Sequence, residues 1–425
     1  MSENQNQPRD IDAVLGGESP PPVDAAVLGG IEGIKRYLSS PVVKVRVVAL
    51  SETLKYGDAG LDLLIRALQD ESRLVQRFAY QLLRKRVEPQ VKQALQAYTP
   101  WNLVERLEEY SGYKGMHAER FANRQVVEYN PEIGITNTVD TAYAIRCDYD
   151  DEEDAVIRLE RFLEDAKVGE LEALVFGQWY SEMTDDDSSR IIEALVAAKN
   201  KLTSLKSIFI GDISSADCEI SWIRQSDISP ILQAYPQLEI LQVRGGDGLV
   251  FSPPIRHNNL NALIIETGGL SKDTVAQIFN MNLPALEHLE LWFGSEDYGG
   301  DCWVEDLNPI LFTEKFPNLT YLGLRNSQFA DEIATTIVDS PILNSISVLD
   351  LSMGTLSDVG AEKLLNCSAV GNLDILNLSD NFISEEMVDR LCDRFSKFGV
   401  QVLVDRQEKE NDDSYIHSRY CTVTE

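Results

Sequence analysis

From Leu171 onward one pattern of apolar and polar positions returns eight times: apolar, two variable residues, apolar, one variable residue, apolar. It reads Leu171-Leu174-Phe176, Leu205-Ile208-Ile210, Leu238-Leu241-Val243, Leu260-Leu263-Ile265, Leu286-Leu289-Leu291, Leu319-Leu322-Leu324, Ile346-Leu349-Leu351 and Leu373-Leu376-Leu378. Successive units start 34, 33, 22, 26, 33, 27 and 27 residues apart. The end of each unit has the period of two that a short strand with one inward face requires. The chain must then return to begin the next parallel strand, and the segments between units carry helical periodicity: 188–200, 227–235, 271–280, 331–339, 357–366 and 384–398. Ser271 and Ser384 stand where a helix needs an amino-terminal cap, and Glu385 and Glu386 put acid in a first turn. Stacked strand–helix units bury a continuous core that no single unit could bury alone.

Upstream the pattern changes. Val126-Val127 and Ala142 to Tyr149 predict strands, and the acidic run Asp148 to Asp154 predicts a solvated cap for a helix over 155–165. That run lacks the Gly and terminal Glu spacing of a calcium loop. Helical periodicity also occupies residues 31–98. There Val45-Arg-Val-Val-Ala49-Leu50 returns thirty residues later as Val75-Gln-Arg-Phe-Ala79-Tyr80. Gly57 to Gly60 breaks the chain between them, Leu61 to Leu68 predicts a helix, Asp70 and Ser72 are candidate caps, and a trailing helix follows from Pro89 to Tyr98. Internal periods of this size indicate stacked helix pairs. Residues 1–30, with Ala-Val-Leu-Gly-Gly at 13–17 and 26–30 around Pro20-Pro21-Pro22, predict a disordered Gly/Pro-rich leader. Residues 99–125 form a junction with packing expected at Trp101 and Tyr110 to Tyr113. Residues 406–425 form a polar tail in which Tyr415, Tyr420 and Val423 are able to latch.

The repeating units of 126–405 resemble the ribonuclease-inhibitor-like leucine-rich-repeat superfamily, and blocks such as Leu283-Pro-Ala-Leu-Glu-His-Leu-Glu-Leu-Trp and Tyr298-Gly-Gly resemble a bacterial branch of it. The resemblance implies an α/β solenoid, a horseshoe with parallel strands concave and helices convex. It departs from the superfamily three residues beyond the last apolar position. Asn381 supplies the usual Asn there, but Trp179, Ile213, Gly246, Gly268, Gly294, Ser327 and Gly354 do not, so close backbone turns are expected to replace the Asn ladder. The helical residues 31–98 resemble HEAT repeats of the phycobilisome-lyase type, which implies a small all-α HEAT-like module before the horseshoe.

Charge and chemistry narrow the function. The chain of 425 residues has a formal charge of -31, which repels phosphate backbones and anionic lipid and argues against nucleic-acid and membrane partners. Residues 31–98 are the exception, with twelve Lys or Arg against seven Asp or Glu. There is no apolar leader of the signal-peptide kind and no apolar run near the ~20 residues that span a bilayer, so a cytoplasmic location is expected. The six cysteines lack close pairs and read as isolated thiols. His117, His257, His288 and His417 do not pair with Cys or carboxylate at metal-ligand spacing, and Arg244-Gly-Gly-Asp-Gly-Leu lacks the Lys and helix start of a phosphate loop. No cofactor and no enzymatic activity are expected.

The strand template also predicts which side chains leave the sheet away from the helices. In the middle strands these are Gln242, Arg244, Glu266, His288, Glu290, Trp292, Tyr321 and Arg325. Aromatic residues and Arg dominate binding energy at protein interfaces, so these eight are the candidate partner-binding residues. The competing reading pairs Arg244 and Arg325 with Glu266 and Glu290 along the sheet. Rim loops carrying Trp179, Asp185 to Asp187, Asp212, Trp222, Asp247, Asp297 and Trp303 would suit a partner with basic patches. The expected function is a non-enzymatic protein–protein interaction scaffold. The alternatives are a chromophore lyase-like or other enzyme, and a self-contained regulator whose basic module docks on the acidic solenoid.

Overall fold

A computed structural model describes residues 30–83, 86, 88–96, 103, 106, 115–148, 151–180, 186–409 and 419–424. The leader up to residue 29, the contacts expected of Trp101 and Tyr110 to Tyr113, and the latch expected of Tyr415 lie outside the described residues. The chain divides into two compact units, 1–100 and 101–425.

The first unit holds α1 (Gly30–Leu38), α2 (Val43–Thr53), α3 (Gly57–Ala67), α4 (Arg73–Leu83) and α5 (Pro89–Gln96). The thirty-residue repeat of the sequence falls on α2 and α4, whose Ala49 and Ala79 are both buried. Leu50, Leu61, Leu64, Val75, Leu83 and Val91 pack into one core. Arg46 in α2 reaches across to the Asp70 carboxylate at 3.0 Å, and that same carboxylate accepts the Ser72 amide at 2.8 Å to turn the chain into α4. Gly57, with φ of +54°, breaks the chain between α2 and α3 as expected, while the rest of the run to Gly60 lies inside α3.

The second unit is a single twelve-stranded sheet whose strands lie side by side in sequence order. They are β1 (Arg120–Phe121), β2 (Arg124–Glu128), β3 (Thr141–Ile145), β4 (Ala173–Phe176), β5 (Ser207–Ile210), β6 (Ile240–Arg244), β7 (Ala262–Glu266), β8 (His288–Gly294), β9 (Tyr321–Ser327), β10 (Val348–Asp350), β11 (Ile375–Asn377) and β12 (Gln401–Leu403). β1 and β2 form an antiparallel hairpin through Ala122 and Asn123, both with positive φ, and every later neighbour pair is parallel. The returns are α6 (Ala155–Phe162), α7 (Ser189–Ala198), α8 (Ser229–Ala234), α9 (Lys272–Asn280), α10 (Asn308–Leu311), α11 (Ala330–Ile337), α12 (Asp358–Asn366) and α13 (Glu385–Ser396). The short interval between β6 and β7 holds no helix.

The caps follow the side-chain chemistry. Asp154 accepts the amides of Val156 and Ile157 at 3.0 Å, so the acidic run does start α6. Ser271 accepts from Thr274 and Ser384 from Met387. The template residues Leu174, Ile208, Leu241, Leu263, Leu289, Leu322, Leu349 and Leu376 lie in one core with residues of the return helices. Turns rather than an Asn ladder carry the rim. A Cβ on Gly294, whose φ is +65°, would lie 1.6 Å from the Gly268 carbonyl oxygen, so the backbones of neighbouring units touch there. At Asn381 the side chain binds three carbonyls, those of Leu351, Leu378 and Ser379, and accepts the Leu356 amide.

Candidate functional site

On the face away from the helices, strand register aligns the rows that the template anticipates. Ser207, Ile240, Ala262, His288, Tyr321, Val348 and Ile375 are successive partners, as are Phe209, Gln242, Ile264, Glu290, Gly323, Asp350 and Asn377. The eight candidate residues therefore do converge on one face. They are not open to solvent: Gln242, Arg244, Glu266, His288, Glu290, Trp292, Tyr321 and Arg325 are each 5% exposed or less. The expectation of an exposed recognition surface is corrected on this point, because the face is occupied by the chain itself.

That face has two halves. Towards β1 it is apolar: Leu103, Phe121 and Ala122 cover Ala142, Ala144, Ala173, Val175, Phe209, Ile240, Ala262 and Ile264, with the Phe121 and Phe209 rings 5.7 Å apart. Over β8 to β11, and past the carboxy-terminal ends of β3 to β7, it is a lattice of buried charge. Arg106 places Nη1 3.1 Å from Glu266 and donates through Nε and Nη2 to both oxygens of Glu290. Arg244 gives Nε to Glu266 at 2.8 Å and reaches Asp212 at 3.4 Å, and Arg146 pairs with the other Asp212 oxygen. Arg325 gives Nη1 to Glu290 at 2.7 Å and lies 3.6 Å from Asp350. Among the described residues, four guanidinium groups thus meet the four carboxylates Asp212, Glu266, Glu290 and Asp350.

Neutral side chains complete it. Gln242 donates to Glu266 at 3.0 Å, Trp292 Nε1 to Glu290 at 2.7 Å, Tyr321 Oη to Asp350 at 2.7 Å and Asn377 to Asp350 at 3.0 Å. The His288 ring stacks on Tyr321 at 3.8 Å and places Nε2 3.3 Å from Glu290. Burial pushes the Glu290 carboxyl up, but the Arg106 and Arg325 charges outweigh it and hold the group well below the usual carboxylate range. Burial, with the Asp350 and Glu290 charges, pushes the Tyr321 phenol well above its ordinary value, so it stays a donor. Buried ions are tolerated here because each has opposite charge and hydrogen bonds around it.

Sequence reasoning missed Arg106, which enters this lattice from the junction rather than from a repeat. Its only signal is spacing: Arg106 follows Leu103 by three residues, so one turn of chain presents an apolar and a basic side chain together. Asp212, expected on the rim, is wholly buried and also accepts the Ala118 amide at 2.8 Å.

The rim itself divides. Trp179 is buried, whereas Trp222 is 70% exposed and Trp303 48%. Beside Trp222 a cleft of about 440 Å³ is lined by Ser221, Asp247, Leu249, Asp273, Tyr298 and the turn glycines. Further along, residues 419–424 lie over the loops: Asn326 both accepts the Val423 amide at 2.9 Å and donates to its carbonyl, and Cys421 and Val423 are buried. Val423 therefore does latch. All six cysteines are free thiols, and burial pushes Cys421 and Cys302 up to about 12. Among the described residues, no cluster of His, Cys, Asp and Glu is arranged to hold a metal ion, and no helix is long and apolar enough to cross a membrane.

No protein-family model matches the chain, and no curated protein matches its sequence. Among solved structures, a Bacteroides fragilis protein is similar at 31% identity and a TM-score of 0.57, over 60% of this chain and 71% of that one. An internalin from Listeria monocytogenes (16% identity, TM-score 0.30, 59% of this chain and 57% of that one) is also similar. So is the protein of a TLR13–ssRNA13 complex (14% identity, TM-score 0.29, 68% of this chain and 36% of that one). Similarity this low says nothing about what this chain binds. The first match is decisive for kinship, and the stacked strand–helix units with their Leu-x-x-Leu-x-Leu template for the fold: this chain belongs to the same family as the Bacteroides fragilis protein and has a leucine-rich-repeat fold.

Proposed function

We propose that the chain is a non-enzymatic protein–protein interaction scaffold, in which the rim loops of the leucine-rich-repeat unit present acidic and aromatic groups to a partner with basic patches. The observation that carries this reading is Trp222. A tryptophan left 70% exposed beside a cleft with Asp247 and Asp273 has the residue chemistry of an interface anchor. A rigid twelve-stranded sheet holds these loops in place, as binding loops require. The chain's charge of -31 favours a basic protein and disfavours nucleic acid and anionic membrane. The eight concave residues serve the same function only after Arg106 withdraws. The helices of residues 30–96 are read as a HEAT-like module that docks a second partner, and the free thiols fit a cytoplasmic setting.

The test is affinity purification of the full chain and its Trp222→Ala variant at low and moderate salt. A partner held by the rim is lost, or weakened at least tenfold, in the variant and released as salt rises. Recovery of the same proteins in the same amounts by both chains would refute the reading.

A further inference from the structure

Of the four arginines in the buried lattice, three belong to the repeats. Arg146 follows β3, Arg244 ends β6 and Arg325 lies within β9. Arg106 alone comes from outside them. Without it, Glu266 and Glu290 lose the guanidinium that spans them, and among the described residues three guanidinium groups face four carboxylates. We infer that the Glu266–Glu290 pair is an arginine socket reading an apolar-x-x-Arg turn, held in cis by Leu103 and Arg106 and open to a partner segment of the same chemistry.

The geometry has the marks of recognition. Arg106 uses Nε and Nη2 as a fork on Glu290 and Nη1 on Glu266, so one guanidinium grips one carboxylate with a planar fork while reaching a second, and an ammonium has no such fork. Trp292 and His288, which also bond Glu290, fix the carboxylate in place before the ligand's own contacts are counted. The Arg106 amide donates to the Leu103 carbonyl at 3.2 Å, so this turn ties the two residues together. That turn sets Leu103 in the apolar half of the face and Arg106 in the charged half. The two halves of the sheet surface therefore match the two side chains of one short motif. The Arg106 side chain also keeps 11% exposure where Arg325 keeps 1%, so it is the guanidinium on Glu290 nearest solvent. Competition for such a site follows mass action: the cis segment lowers the apparent affinity of a trans ligand by the fraction of time it occupies the socket.

This inference rests on the protein-binding reading, but its test needs no cellular partner and fails separately from it. A fluorescent synthetic peptide of residues 99–112 is titrated by anisotropy into full-length wild type, Arg106→Lys and Leu103→Ala/Arg106→Ala. The proposal predicts binding in the order double variant, Arg106→Lys, wild type, with at least tenfold between the first and last. A peptide with Ala in place of its Arg should lose at least tenfold on the double variant. Arg106→Lys keeps the charge that the fold needs, so it decides the matter if the double variant does not fold. Equal binding by all three chains, absence of binding to Arg106→Lys and the double variant alike, or equal binding of the Ala peptide overturns the proposal.

Discussion

Glu290 concentrates the chemistry of the lattice in one side chain. Its two oxygens meet Arg106, Arg325, Trp292 and His288, and it is wholly buried. Replacing it by Gln keeps the shape but leaves two buried guanidinium groups short of a counter-charge. Breaking a buried pair in this way costs about 3–5 kcal/mol, so Glu290→Gln should lower the urea midpoint by that equivalent. The pH dependence has a fixed sign. The folded carboxyl lies well below its ordinary value, so its stabilisation is complete above the unfolded value of about 4.3. It is lost as pH falls through the depressed folded value. Wild type should therefore lose more stability between pH 7 and pH 3 than Glu290→Gln does, measured by urea titration at each pH.

The strands and their returns were the part of the molecule most legible in the sequence. The period-2 ends of the eight templates fall on β4 to β11, because a strand buried on its helix side must repeat apolar residues in that register. β1, of two residues, is too short to alternate, and the stretch around β12 carries alternating Val400, Val402 and Val404 but not the leucine template, so neither was read as a strand. The concave rows were readable as geometry but not as environment, since a sequence pattern shows which way Arg244 or Trp292 leaves a sheet and not what lies above it. What lies above is in part the junction, where Leu103 and Arg106 form no repeat. The strap at 419–424 was legible as Tyr420, whose ring meets Phe382 edge-on at 6.0 Å, and as Val423, an apolar residue in a polar tail. Asn326 holds that strap by binding both the amide and the carbonyl of Val423. Asn326→Ala should free it, and Cys421, now buried against the Gly294 carbonyl, is the reporter. Alkylation followed by mass spectrometry should show Cys421 protected in wild type and modified at least tenfold faster in the variant.

At the scale of the whole molecule, two units each carry a core of their own, the helical one around Leu50 and Leu64 and the sheet unit around the template leucines. The sheet unit also contains every group of the charged lattice, Arg106 included. Residues 101–425 expressed alone should therefore fold, keep the strand content of the full chain by circular dichroism, and unfold in a single cooperative transition. A fragment that aggregates or unfolds gradually would show that the lattice depends on the helical unit. Charge makes the same division: the helical residues 31–98 are mildly basic and the remainder is strongly acidic, so salt should alter partner capture by the rim far more than it alters the stability of the buried lattice.

Arg106 occupies the sheet face in the unbound protein, and a double-mutant cycle between Arg106→Ala and Glu290→Gln measures its hold on Glu290. Groups in contact within one buried network couple by about 0.5–3 kcal/mol, whereas distant sites add to within about 0.3–0.5 kcal/mol. Urea denaturation of wild type, the two single variants and the double variant should give a coupling above about 1 kcal/mol. Losses that simply add would mean that Arg106 does not sit on Glu290 in solution and that the face is not filled by the chain itself.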